Sequence, residues 1–155
     1  MPNSIHYTTI TKSELNLIEP LWEVLNDEHY SDSVYFKDHY TSFSFEQRSH
    51  RWIKWDESKM HILVALNSAN NPVGYAVSTI DDEGLGELDS LCVKPDFQNL
   101  GIGRLLTIKS IDWLKDHGCE KIRLGVSYGH ESVFGFYQKL GFYPKMTLLE
   151  LKENV

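Results

Sequence analysis

The sequence is poor in cysteine, poor in positive charge and free of long apolar runs, and each shortage excludes a class of protein. Two cysteines in 155 residues cannot build the disulfide framework of a small secreted domain. No apolar run approaches the length of a bilayer-crossing helix. The 22 acidic residues outnumber the 15 basic ones, and the resulting net charge of -7 disfavours nonspecific nucleic-acid binding. We therefore expect neither a membrane nor a nucleic-acid partner.

The N-terminal residues also lack the basic and then apolar stretch of a secretory signal. Together with the low cysteine content, this leads us to expect a cytoplasmic protein with reduced thiols. A chain of 155 residues is long enough for one well-filled core, and 41% of its residues are hydrophobic. We expect a single domain over residues 1–155, as a monomer or a homodimer.

Apolar periodicity predicts a mixed arrangement of strands and helices. The strand-like runs are 5–11, 60–66, 73–80, 87–94, 121–126 and 142–151. The helix-like runs are 15–25, which Pro20 interrupts, 45–55, 102–114 and 131–140. The polar and aromatic segment 26–44 is expected to be a loop with short helical turns. The three central strands should form an antiparallel meander, and the strand at 121–126 should run parallel to the one before it.

The stretch 93–106 joins a strand to an amphipathic helix through a turn that contains Gly101 and Gly103. Glycine has no Cβ, so backbone N–H groups at the start of the helix can approach an anion such as a pyrophosphate. The alternative is a tight turn that uses glycine for steric reasons alone. The turn lacks the Lys-Ser/Thr pair of nucleoside triphosphate loops and the third glycine of dinucleotide folds.

Two motifs resemble those of the GNAT superfamily of N-acetyltransferases. The order Gln-Asn-Leu-Gly-Ile-Gly-Arg at 98–104 resembles its coenzyme A pyrophosphate loop, and Phe-Tyr-Gln-Lys-Leu-Gly-Phe at 136–142 resembles its late Tyr-x-Lys-x-Gly-Phe element. The two lie about a helix, a strand and a helix apart, as in that family. The resemblance implies an α/β, GNAT-like acyl-CoA N-acyltransferase fold. Its sheet would be mixed and mostly antiparallel, with six to seven strands flanked by about four helices.

The resemblance also implies a binding site for acetyl-CoA as the cosubstrate. Leu91 and Val93 would pair through their main chains with the pantetheine arm, and the Cys92 amide would face the thioester carbonyl. His130 stands near the position where the family commonly has Asn, a departure from its pattern. The remaining implied coenzyme contacts are Gln98, Asn99, Leu100, Gly101, Ile102, Gly103, Arg104, His130, Phe136 and Lys139.

Two residues are candidates for proton transfer. Tyr137 matches the family's hydroxyl that protonates the leaving thiolate, although an aromatic residue on a helix can also simply pack in the core. Glu87 lies fourteen residues before Gly101, where the histone-acetylating branch has its general base, although a glutamate at a strand start is usually solvated. Asp89 lies two residues after Glu87 and should share its strand face, because side chains alternate along a strand with a period of two.

Other chemistries are less favoured by the residues. Cys92 lies beside the proposed site, but no histidine is adjacent in sequence to activate it, and cysteine is a common core residue. The histidines show no metal-ligand spacing, so we expect no metal.

The expected activity is direct transfer of the acetyl group of acetyl-CoA to a primary amine. Segment 26–55 mixes acidic and aromatic residues, which favours a small cationic amine as the acceptor, although most of these charges can also be solvated loop residues. The alternatives are a protein acetyltransferase acting on lysine or an N-terminus, and a noncatalytic acyl-CoA-binding sensor.

Overall fold

The computed structural model describes residues 4–152. Its strands are β1 (His6–Ile10), β2 (Met60–Leu66), β3 (Pro72–Ile80), β4 (Gly86–Val93) and β5 (Ile122–Arg123). Its α-helices are α1 (Glu19–Asp32), α2 (Lys37–Ser42), α3 (Phe45–Ile53), α4 (Ile102–Asp116) and α5 (Phe134–Gln138). Within the described chain no helix is long and apolar enough to cross a bilayer.

The strands form one sheet in the order β1-β2-β3-β4-β5. The pairs from β1 to β4 are antiparallel, and β4 pairs with β5 in parallel. This confirms the predicted mixed, mostly antiparallel sheet, its central meander and the parallel pair on either side of α4. The strand count is five in residues 4–152 rather than the predicted six to seven.

The missing strand is the one predicted at 142–151, and the strand predicted at 121–126 is shorter than expected. β5 pairs with β4 through only two residues, so it offers no ladder long enough for a further strand. Pro144 also lacks the N–H that a ladder would need. The C-terminal segment is irregular, and it leaves exposed the apolar side chains of Tyr143, Met146, Leu148, Leu149 and Leu151.

Helix α1 extends through residues that the sequence predicts as loop. A 3₁₀ helix, Lys12–Ile18, precedes it, and Pro20 lies in the first turn of α1, where a missing N–H costs no intrahelical hydrogen bond. The break at Pro20 is therefore the start of a new helix. That helix continues to Asp32 and carries its C-terminal turn to the site described below. The predicted helix 131–140 is likewise a short 3₁₀ turn followed by α5.

A bulge in β4 divides its side chains between two cores. Ser78 pairs with Leu88 and Val77 with Ser90, so Asp89 is the extra residue. Leu88 packs on the α4 side of the sheet, whereas Cys92 packs with α1 and α3 on the other side. Beyond Asp89 the bulge shifts the alternation of side chains by one residue. This shift decides which side chains point to each side of the sheet at the end of β4, next to the site.

Candidate functional site

The turn between β4 and α4 has the geometry of an anion cradle. Gly101 is in the left-handed conformation with a φ of 84°, directly before the first residue of α4, and Asn99 is also left-handed with a φ of 63°. Gly103 lies close to the ring of Phe136, since a Cβ at this position would be 3.4 Å from the ring. The N–H groups of the first turn of a 15-residue helix therefore face an open space that favours negative charge.

A groove with a volume of about 830 Å³ runs from this turn past the end of β4 to the segments around β5 and α5. It brings together most of the predicted site residues. The predicted residues that line it are Leu91, Cys92, Val93, Gln98, Asn99, Gly101, Gly103, Arg104, His130, Phe136, Tyr137 and Lys139.

Three predicted site residues do not line the groove. The Ile102 side chain is buried between α4 and the sheet, and the Leu100 side chain is exposed to solvent. Glu87 accepts a 3.1 Å hydrogen bond from Nε of Arg123 on β5. Partial burial, and then the nearby charge of Asp89, raise the pKa of Glu87, while Arg123 opposes that shift.

Tyr137 lies at the groove with its ring packed edge to face against Phe136 and Phe142. Burial raises the pKa of its hydroxyl to about 12. The hydroxyl therefore carries its proton throughout the neutral and mildly basic range, as a group that donates a proton must.

Cys92 is enclosed rather than reactive. Its thiol donates a hydrogen bond of 3.3 Å to the carbonyl of Leu21 on α1. Burial, with a smaller effect from the charge of Glu28, raises the pKa of the thiol to about 12. A thiol that stays protonated at neutral pH is a poor nucleophile, so this geometry does not favour an acyl-cysteine intermediate.

Asp89 is held by helix α3. Its Oδ2 accepts a 2.7 Å hydrogen bond from Nε1 of Trp52 and lies 3.1 Å from the Arg48 guanidinium. Arg48 also donates to the Asp89 carbonyl at 3.0 Å and lies over the Trp52 ring. This carboxylate is the bulged residue of β4, and the network fixes it at the floor of the groove.

Part of the groove lining comes from residues that the sequence did not assign to the site. Glu28 and His29 of α1 and Tyr40 of α2 line the groove, and Asp32 hydrogen-bonds to His130. Burial, and then the charge of His130, lower the pKa of His29 to about 4, although Asp32 opposes the shift. The only signal for these residues in the sequence was the mixture of acidic and aromatic residues in segment 26–55.

In the described part of the chain, no three His, Cys, Asp or Glu side chains gather closely enough to hold a metal ion. The side chains that line the groove carry guanidinium, ammonium, carboxylate, imidazole, amide and hydroxyl groups. These groups suit anion binding and proton transfer.

Comparison with known families matches residues 18–142 to a family described as "Acetyltransferase (GNAT) family". A mycothiol acetyltransferase of Rhodococcus jostii is 29% identical over 102 residues, which cover 63% of this chain and 33% of the relative. An uncharacterized N-acetyltransferase of Methanocaldococcus jannaschii, MJ1207, is 26% identical over 126 residues, which cover 72% of this chain and 54% of the relative. The chain thus spans from a third to about half of the length of these relatives.

Solved structures share the fold at low sequence identity. The PaiA N-acetyltransferase of Thermoplasma acidophilum, in complex with coenzyme A, superposes with a TM-score of 0.76 at 21% identity, over 93% of this chain and 92% of that one. A putative acetyl transferase of Pyrococcus furiosus superposes with a TM-score of 0.71 at 21% identity, over 95% of this chain and 99% of that one. At this identity the likeness concerns the fold alone.

Proposed function

The chain belongs to the acetyltransferase (GNAT) family, and from that membership we propose that it transfers the acetyl group of acetyl-CoA to a primary amine. The observation that carries the proposal is one groove lined both by Gly101 of the anion cradle and by Tyr137. A pyrophosphate would suit the anion cradle, and a thioester whose sulfur takes up a proton would suit Tyr137. Acetyl-CoA has both.

The binding roles follow from the chemistry of the lining. Backbone N–H groups in residues 98–104 would hold the pyrophosphate, with Arg104 adding positive charge. The main chains of Leu91 and Val93 would pair with the amides of the pantetheine arm. The Cys92 amide would donate to the carbonyl oxygen as negative charge develops there. His130, Phe136 and Lys139 would complete the wall of the groove.

The proposed transfer is direct. The nitrogen of a neutral amine attacks the thioester carbon, the carbon–sulfur bond breaks, and Tyr137 gives its proton to the departing thiolate. The enclosed, protonated thiol of Cys92 supports direct transfer over an acyl-enzyme route. The amine must also lose a proton. Glu87 is the candidate acceptor that the sequence offers, and an unchanged kcat in Glu87→Gln would exclude it.

We propose a small cationic amine as the acceptor. Glu28 brings a carboxylate to the groove lining, and the chain carries a net charge of -7. Both features favour a positively charged partner over an anionic one. The alternatives are a lysine or N-terminal amine of a protein, and an acyl-CoA sensor without turnover.

The test is release of free thiol from acetyl-CoA in the presence of diamines, aminoglycosides, amino acids and lysine peptides, together with calorimetric binding of coenzyme A. We expect micromolar coenzyme binding and turnover with at least one small cationic amine. Turnover with peptides alone would favour a protein acetyltransferase. Coenzyme binding without turnover on any amine would favour the sensor, and absence of coenzyme binding would contradict the proposal.

A further inference from the structure

An imidazole and a carboxylate from distant parts of the chain form a pair at the groove. Nδ1 of His130, which lies before α5, is 2.5 Å from Oδ2 of Asp32 at the end of α1. The two residues are 98 positions apart in sequence. The His130 side chain is only 16% exposed, and it lines the same groove as Tyr137.

Several contacts hold this pair in place. Gly129 lies against the main-chain carbonyl of Asp32 so closely that any Cβ would overlap it, and its φ of 101° is itself reserved for glycine. The Glu131 carboxylate accepts from the Gly129 N–H at 2.8 and 3.0 Å, and the His130 N–H donates to the Ser127 carbonyl at 2.9 Å. The loop is thus built to present one histidine to one aspartate.

We propose that His130 accepts the proton of the attacking amine and that Asp32 is the positioning residue that orients its ring; this inference rests on the acetyl transfer proposed above. When Nδ1–H donates to the carboxylate, the lone pair of the ring is on Nε2. As the amine nitrogen bonds to the acetyl carbon, its proton passes to Nε2. Asp32 balances the charge of the imidazolium that forms. After the products leave, water carries the proton from His130 to the Tyr137 phenolate, which restores both groups.

The other candidate bases are less well placed. His29 packs edge to face on His130 with 5.0 Å between ring centroids, and its lowered pKa makes it a weak proton acceptor. Glu87 lies outside the groove and is bonded to Arg123. Asp89 is tied to Trp52 and Arg48.

Other ionisable groups surround His130 and must be considered in any pH measurement. They are Asp27, Glu28, His29 and Asp32 on α1, Tyr40 on α2, and Glu131 on the histidine's own segment. Burial raises the pKa of Glu28, whereas the charge of His130 lowers it.

The experiment measures kcat/KM against pH for the full chain, with acetyl-CoA and the amine that gives the fastest thiol release. His130→Gln and Asp32→Asn are compared with His117→Gln, a matched control at the exposed end of α4. We expect kcat/KM of the wild type to fall in one step at low pH, because a protonated imidazole cannot accept the proton of the amine. His130→Gln should lower kcat by about 10²-fold and abolish this step, with a much smaller change in coenzyme affinity. Asp32→Asn should lower kcat by about 10-fold, because the ring of His130 loses the acceptor that orients it.

An NMR measurement keeps the test independent of turnover. The wild type should show a hydrogen-bonded imidazole N–H proton at low field that both His130→Gln and Asp32→Asn remove and His117→Gln retains. Retention of this signal in either groove variant, or an unchanged kcat and pH step in His130→Gln, would overturn the proposal. Loss of thiol release in the wild type with every amine would instead contradict acetyl transfer itself, and this inference with it.

Discussion

The indole Nε1–H of Trp52 donates a 2.7 Å hydrogen bond to Oδ2 of Asp89. Trp52 is almost fully buried in the core between α3 and the sheet, whereas Asp89 is the bulged residue at the floor of the groove. One contact therefore links core packing to the shape of the site. Because Arg48 engages the same carboxylate, the negative charge of Asp89 is balanced where it is partly buried.

Replacing Trp52 with phenylalanine should destabilise the fold by about 2–4 kcal/mol, because it leaves a charged acceptor without its partner and removes buried volume. Urea unfolding measures the loss. Trp55→Phe is the matched control, since Trp55 packs at the margin of the same core and is only partly buried. Equal losses in the two variants would show that the hydrogen bond to Asp89 contributes little.

Replacing Gly101 with valine should weaken acetyl-CoA binding by more than 10-fold, because a side chain would occupy the anion cradle. The control is Gly84→Val, since Gly84 has nearly the same φ, 83° against 84°, and both positions have open space around a Cβ. Both variants should lose about 1–2 kcal/mol of stability from backbone strain. Calorimetry should show weaker coenzyme binding only for Gly101→Val, and normal affinity there would rule out the cradle.

Replacing Tyr137 with phenylalanine should lower kcat by about 10²-fold with little change in coenzyme affinity, because only a proton donor is removed. In the wild type, kcat should not fall from loss of the tyrosine proton until the pH approaches the raised pKa of about 12. Steady-state thiol release measures both. Tyr143→Phe, at an exposed position, should be unaffected. An equal kcat in both variants would remove Tyr137 from the mechanism.

Thiol labelling should be slow in the native protein. Burial raises the pKa of Cys92 to about 12 and also raises that of Cys119. Few thiolates then exist at pH 8, and we expect labelling by an aromatic disulfide at least about 10²-fold slower than for a free thiol. Both cysteines should react rapidly when the protein is unfolded in urea. Rapid labelling of one native thiol would show that a cysteine is accessible and ionised.

His29 should make folding stability depend on pH. Its pKa is about 4 in the folded state, below the ordinary 6.5, so the unfolded chain binds the extra proton between these values. The stabilising effect is complete above about pH 6.5 and is lost as the pH falls towards 4. We expect a loss on the order of 2 kcal/mol after allowance for partial exposure. Urea unfolding of the wild type and His29→Gln should diverge over this range, and parallel profiles would contradict the lowered pKa.

Local patterns in the sequence determined much of the fold and the glycine turn that forms one end of the groove. Two glycines between an apolar strand and an apolar helix predicted the turn before α4, and period-two runs predicted the meander of β2, β3 and β4. These features depend on residues a few positions apart, where backbone conformation and side-chain periodicity act directly. The family resemblance added Tyr137, which lines the groove.

Only the tertiary structure decided which distant residues meet. The pairing of Asp32 with His130 spans 98 positions and depends on the close approach of Gly129 to the end of α1. The bulge at Asp89, the burial of Cys92 and the short β5 also depend on neighbouring elements. Apolar alternation at 142–151 predicts a strand, but a strand forms only where a partner edge supplies hydrogen bonds. The sequence by itself therefore determined the local elements and the glycine turn before α4, whereas long-range packing decided which side chains meet at the groove.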